Sequence, residues 1–275
     1  MTSLFDPIQL GDISLANRIV MAPLTRNRAA AGQVPGPLTV AYYRQRASAG
    51  LIIAEASQIS PMAQGYLDTP GIHTPAQVSA WRQVTDAVHD AGGRIVIQLW
   101  HVGRISHVSL LPGGAAPVSC TNRRPNAQTF TRAGFVDVSP PRALADDELP
   151  GLIADYRHAA RCALDAGFDG VEVHAANSYL LDQFLRDSVN DRSGPYGGGI
   201  PNRARLLLEV LQAVSAEIGA GRTGIRLSPM TTFSDTPRDS DPQALHQYVV
   251  EGLAPLGLAY VHVIEGETGG PRVPA

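Results

Sequence analysis

Six short apolar runs alternate with amphipathic stretches along this chain, and that alternation leaves few folds open. The runs are Ile19-Val20-Met21-Ala22, Leu51 to Ala56, Ile95 to Trp100, Gly170 to His174, Thr223 to Leu227 and Tyr260 to Ile264. Each has strand length, and the apolar positions between them recur at helical spacing. Strand and helix in turn produce a parallel sheet covered by helices. A closed eight-stranded barrel and an open doubly wound sheet both satisfy the pattern. No G-x-G-x-x-G follows the first run, which weakens the dinucleotide-binding form of the open sheet. A chain of 275 residues suits one barrel of about 250 residues or two small domains.

The punctuation supports this reading. Pro7 to Leu15 reads as a hairpin about Gly11-Asp12. Residues 27–37 read as loop, and Val40, Tyr43 and Ala47 mark a helix over Thr39 to Ala49. Thr74-Pro75 opens another helix, with Thr as N-cap and Pro in the first helical position; Val78, Trp81, Val84 and Val88 mark its face. Leu149 to Ala163 carries a third, Leu206 to Ile218 a fourth and Leu245 to Leu253 a fifth. Two polar excursions interrupt the alternation, from His101 to about Leu144 and from Ala175 to Asn202. Long segments of this kind inside a compact domain usually carry function.

Polar residues stand at or near the carboxyl ends of four runs: Thr25 after the first, Gln98 in the third, His174 in the fourth and Arg226 in the fifth. Ligands of α/β folds bind beyond those ends. By strand alternation Val96, Gln98 and Trp100 share a face, as do Glu172 and His174, and Arg226 and Ser228. Asn177 and Tyr179 follow His174 on the turn leaving the strand. A His, an amide and a phenol there can grip a carbonyl oxygen and deliver a proton, or they can be core and turn residues. Gln98 and Arg226 need partners inside apolar strands. A planar hydrogen-bonding ligand, pairing of Arg226 with Glu172, or both would supply them. An isoalloxazine ring fits, since its pyrimidine edge alternates donors and acceptors and a nearby cation favours its reduced anion.

Composition narrows the surroundings. The net charge of -3 offers no basic field for nucleic acid. Cys120 and Cys162 are far apart and make no C-x-x-C pair, which argues against a disulfide scaffold, a zinc site or an iron–sulfur cluster. The first ten residues lack the parts of a secretory signal, and no apolar run approaches the ~20 residues of a membrane helix. A cytoplasmic, reducing setting is expected.

Four stretches then carry a resemblance. They are Ala22-Pro23-Leu24-Thr25-Arg26; Gly50 to Ala56; His174-Ala175-Ala176-Asn177-Ser178-Tyr179; and Leu181-Asp182-Gln183-Phe184-Leu185-Arg186, running on to Asn190-Asp191-Arg192, Tyr196-Gly197-Gly198 and Asn202-Arg203. With these the chain resembles the Old Yellow Enzyme family of FMN-dependent ene-reductases over essentially its whole length. The resemblance implies a TIM (β/α)8 barrel with an N-terminal hairpin lid, forming one FMN-binding domain over residues 1–275. It implies non-covalent FMN, NADPH or NADH as reductant, and an enone, maleimide or nitro compound as substrate. Ala22, Pro23, Leu24, Thr25, Ala56, Gln98 and Arg226 would contact the FMN, with Thr25 tuning its potential. His174 and Asn177 would bind the substrate oxygen, Tyr179 would donate a proton, and Tyr66 and Trp100 would wall the pocket. A nitroester or xenobiotic reductase using the same site without Tyr179 is the alternative enzyme, and an inactive structural subunit the alternative to an enzyme.

Members of that family continue through two further strands, so about six of the eight βα units are expected here. The usual phosphate site of a barrel lies at strands seven and eight. The 275-residue chain is therefore expected to bind FMN weakly alone, and to need a homo-oligomer or a complementing C-terminal segment.

Overall fold

The amino-terminal hairpin forms as its turn residues require. Strands β1 (Ile8–Leu10) and β2 (Ile13–Leu15) pair antiparallel. Gly11 turns between them at φ 56°, and a Cβ there would sit 2.3 Å from the Gly221 carbonyl oxygen. Only glycine permits both the turn and that close approach. The chain is seen in a computed structural model that describes residues 2–266; the Gly269-Gly270-Pro271 tail lies outside the described residues.

The remaining elements follow in the anticipated order. They are β3 (Val20–Met21), α1 (Pro37–Arg44), β4 (Leu51–Gln58), α2 (Pro75–Asp90) and β5 (Ile95–Trp100). The first excursion holds β6 (Val118–Ser119), β7 (Gln128–Thr131), β8 (Gly134–Asp137) and β9 (Arg142–Ala143). Then come α3 (Leu149–Asp165), β10 (Gly170–Ala175), α4 (Leu180–Leu185), α5 (Ile200–Ile218), β11 (Thr223–Leu227), α6 (Pro242–Leu253) and β12 (Tyr260–Val263). Thr74 caps α2 in a reciprocal box with Gln77, the arrangement that satisfies two orphan amides at once.

Strand order decides between the two sheet types. The six-stranded sheet runs β3, β4, β5, β10, β11, β12 in chain order, and every pairing is parallel. A doubly wound sheet reverses its order at a switch point; this one never does. Successive strands are added on the same side, which is how a barrel is built. The structure is thus a parallel, partial TIM barrel of six strands. Outside the sheet a large core joins Ile52, Ala54, Ile97, Val171, Val173 and Ile225 to helix residues such as Trp81, Tyr156 and Leu207. Inside, at the amino ends, Leu51, Ile53 and Val96 pack on Ile13 and Leu15 of the hairpin, which closes the bottom as expected. A cleft of about 330 Å³ lies between β3 and β12, lined by Val20, Ala22, Leu51, Ile53 and Tyr260 to Val263.

Two expectations need correction. Helix α1 stops at Arg44, short of Ala49. The second excursion is not all loop: it contains α4, whose six residues are all buried. A short helix buried on every side has no polar face, so it leaves no 3.6-residue periodicity to read.

Candidate active site

The inner face of the sheet stacks its polar residues in two layers, and strand register dictates which. Gln98, Glu172 and Gly224 are in register on β5, β10 and β11, and Gly224 pairs with Tyr260 of β12. One pleat higher, His174, Arg226 and His262 are in register. Gly224 is needed because a Cβ there would lie 2.3 Å from the Tyr260 ring.

Above the upper layer the aromatic residues converge. The Trp100 ring stacks on Tyr66 at 5.6 Å, lies 6.4 Å from His174, and meets Tyr179 edge-on at 4.9 Å. His174 and Tyr179 rings are 5.1 Å apart. The Tyr66 and Tyr179 hydroxyls are hydrogen-bonded at 3.2 Å, so Tyr66 is more than the wall that sequence reading makes it. Ala56 belongs to the same cluster, with Val102, Ile105 and Val138. The first excursion therefore does contribute to this site, through Val102, Ile105 and Val138.

The turn after β10 is held in an unusual conformation. Asn177 and Ser178 both have positive φ, 57° and 65°, a region that non-glycine residues occupy only when their surroundings impose it. Here the surroundings do. The Asn177 amide donates to Ser228 Oγ at 2.8 Å, and the Ser178 amide donates to Asp182 Oδ2 at 2.8 Å. Asp182 is in turn paired with Arg186 at 2.9 Å, both side chains 1% exposed. Asp182→Ala would leave Arg186 buried beside only backbone carbonyls. Denaturant unfolding should show a loss of about 3 kcal/mol; a loss under ~0.5 kcal/mol would remove Asp182 from this account.

A buried carboxylate steadies the other side of the mouth. Glu55 Oε2 accepts from the Arg26 amide at 3.1 Å, and Oε1 accepts from the Tyr43 hydroxyl at 3.3 Å. It so anchors the segment bearing Pro23, Thr25 and Arg26. Burial lifts its carboxyl to about 7, against the pull of Arg26 and Tyr43. A raised folded-state value means the native protein binds a proton that the unfolded chain releases. Stability from this group is present below the ordinary carboxylate range and lost as pH rises to about 7. Glu55→Gln should flatten that fall, by up to ~3 kcal/mol between pH 4.5 and 8, measured as unfolding free energy against pH. An unchanged slope would contradict it.

Electrostatics assign roles in the mouth. Burial, then the Arg226 charge, then His262, hold His174 well below its ordinary value, so its imidazole is neutral. Burial, with Tyr66 beside it, pushes the Tyr179 phenol well above 10. Gln98 donates to Glu172 at 2.7 Å, and Glu172 also attracts Arg226. Yet His174 Nδ1, Arg226 Nε and Trp100 Nε1 are buried with no hydrogen-bond partner among the described residues. A cation, an amide and unpaired ring nitrogens around one mouth suit a flavin and a carbonyl-bearing ligand beside it. Ala22 lines the cleft between β3 and β12, and Leu24 is 59% exposed. No group of three or more His, Cys, Asp and Glu able to hold a metal occurs among the described residues.

Sequence reading missed three supporting residues. Glu55 and Asp182 stand inside quoted motifs without a role there. His262 was legible in principle: it is a polar residue in an apolar strand, spaced two from Tyr260.

Comparisons with known proteins point the same way. The profile of the NADH:flavin oxidoreductase / NADH oxidase family matches residues 3–273. The chain is 50% identical over 264 residues to 12-oxophytodienoate reductase 1 of Oryza sativa subsp. japonica, covering 95% of this chain and 68% of that protein. Morphinone reductase in complex with tetrahydroNAD superposes with a TM-score of 0.92 and 49% identity, covering 96% of this chain and 74% of that one. An old yellow enzyme homologue from Zymomonas mobilis gives 0.93 and 45%, covering 98% and 77%.

Proposed function

Because this chain belongs to the NADH:flavin oxidoreductase / NADH oxidase family, the Old Yellow Enzyme family of FMN-dependent ene-reductases, we propose a residue-level division of labour for its reduction of activated alkenes by NAD(P)H. The observation that carries it is the meeting of His174, Tyr179, Tyr66 and Trp100 over Arg226 and Gln98. FMN, when bound, supplies the hydride that it takes from NAD(P)H. Gln98 and Arg226 would hold its ring, together with Ala22, Pro23, Leu24, Thr25 and Ala56.

The chain's own residues do the rest. His174 and Asn177 donate to the carbonyl oxygen of an enone, where negative charge develops. A neutral His174 serves because it needs only one N–H. Tyr179 keeps its proton at neutral pH and gives it to the carbon alpha to the carbonyl. Tyr66 can donate to the Tyr179 oxygen, which leaves the Tyr179 proton free to transfer and steadies the oxygen afterwards. Trp100 and Tyr66 form an apolar wall that excludes water.

Nitro compounds fit the same two donors, since a nitro oxygen also accepts hydrogen bonds. Turnover of 2-cyclohexenone against a nitrate ester, with NADPH consumption matched to product, tests the reading. Saturated cyclohexanone as the major product is expected; turnover of the nitrate ester alone would overturn it.

A cytoplasmic setting is also proposed. Cys120 and Cys162 are buried free thiols, and no helix among the described residues is long and apolar enough to cross a membrane. Closure of the sheet by a further segment or a second copy is proposed too. Its support is that β3 and β12 each lack an outer partner among the described residues, with Val20, Val261 and Val263 exposed.

A further inference from the structure

Glu172 lies in the lower polar layer with none of its surface exposed. A carboxylate so far from water persists only with partners, and β5, β11 and β12 supply them, Tyr260 of β12 facing it as well. Gln98 Nε2 donates to Oε1 at 2.7 Å, His262 Nδ1 donates to Oε2 at 3.0 Å, and the Arg226 guanidinium attracts it. The mouth chemistry uses none of this directly.

The consequence follows from what a carboxylate can do. It accepts hydrogen bonds and donates none. Gln98 must therefore turn its NH2 toward Glu172, which points its carbonyl oxygen elsewhere. His262 must carry its hydrogen on Nδ1 when Glu172 is ionised, which leaves Nε2 as the acceptor. Without Glu172, the Gln98 amide would have two orientations of the same shape.

We propose that Glu172 is a positioning residue that fixes the donor and acceptor pattern presented to the flavin by Gln98 and moderates the charge presented by Arg226. This rests on the placement of Gln98 and Arg226 against FMN proposed above. A carbonyl acceptor from Gln98 suits the single ring N–H on the flavin pyrimidine edge. A half-neutralised Arg226 limits how strongly the reduced, anionic flavin is favoured over the oxidised form.

Glu172→Gln tests this, because it keeps the shape and removes both the charge and the fixed polarity. Dissociation constants for oxidised and reduced FMN are measured by fluorescence on wild type, Glu172→Gln and Gln98→Ala, with circular dichroism to establish folding. Glu172→Gln should weaken oxidised FMN about tenfold. It should also raise the ratio of oxidised to reduced dissociation constants by a similar factor, because Arg226 is no longer offset. Weaker binding of both forms by one common factor would mean a merely structural role and overturn the proposal. If Gln98→Ala leaves FMN binding unchanged, the placement of Gln98 fails instead. Nitrogen-15 spectra of wild-type His262 give an independent reading: a hydrogen on Nδ1 is expected, and one on Nε2 alone would overturn the proposal whether or not the variant folds.

Discussion

Tyr179→Phe is expected to slow alkene reduction by about 10²- to 10⁴-fold while flavin reduction by NAD(P)H keeps its wild-type rate. The asymmetry follows from position. The phenol stands 5.1 Å, ring to ring, from the His174 imidazole and is hydrogen-bonded to Tyr66, so it faces the place where a substrate carbonyl would sit. Only the alkene step needs a proton at carbon. The ring itself remains in Phe, so packing against Trp100 at 4.9 Å is preserved. Because burial lifts the Tyr179 phenol well above 10, its loss of a proton should not limit the wild-type alkene step at any pH below 10. Stopped-flow traces of the two half-reactions decide the matter. Equal slowing of both would reject Tyr179 as the acid.

His174→Ala should cost about 10²- to 10³-fold in kcat/KM for enones, the usual loss for one donor of an oxyanion site. The imidazole is held at the end of β10, 6.4 Å from the Trp100 ring, and its neutral state is enforced by burial and by Arg226. In the proposed role its contribution would therefore be a directed N–H rather than a charge. Combining it with Asn177→Ala should cost less than the product of the two single losses if, as proposed, both serve one oxygen. Full multiplicative loss, measured in steady-state kinetics with 2-cyclohexenone, would mean that the two side chains act at separate places.

Strand identity was legible along the chain because period-2 and period-3.6 patterns are local properties. β5 and β11 match their apolar runs end to end. Barrel order was not legible from the pattern alone, since which strands pair is a non-local fact. The resemblance supplied the barrel, and the sequential parallel order bears it out.

The site divides in the same way. His174, Gln98 and Arg226 stand out as polar residues in apolar strands, and register carries them to one face. The Tyr66 to Tyr179 bond joins residues 113 apart in sequence, so only folding reveals it. Glu55 was hidden for another reason: its partners are the Arg26 backbone amide and the Tyr43 hydroxyl, and it acts through them. The positive φ of Asn177 and Ser178 was equally hidden, because neither residue is glycine and the cause lies in Ser228 and Asp182.

This chain is proposed to assemble a flavin site that passes electrons from NAD(P)H to an activated alkene. The direct measurement is an anaerobic absorption record of the purified protein supplied with excess FMN, because the chain alone is expected to hold it weakly. NADPH or NADH is added first, then 2-cyclohexenone. The long-wavelength flavin band should bleach with the nicotinamide and return when the enone is added, with cyclohexanone formed in equal amount. A band that bleaches and does not return with the enone would contradict this proposal.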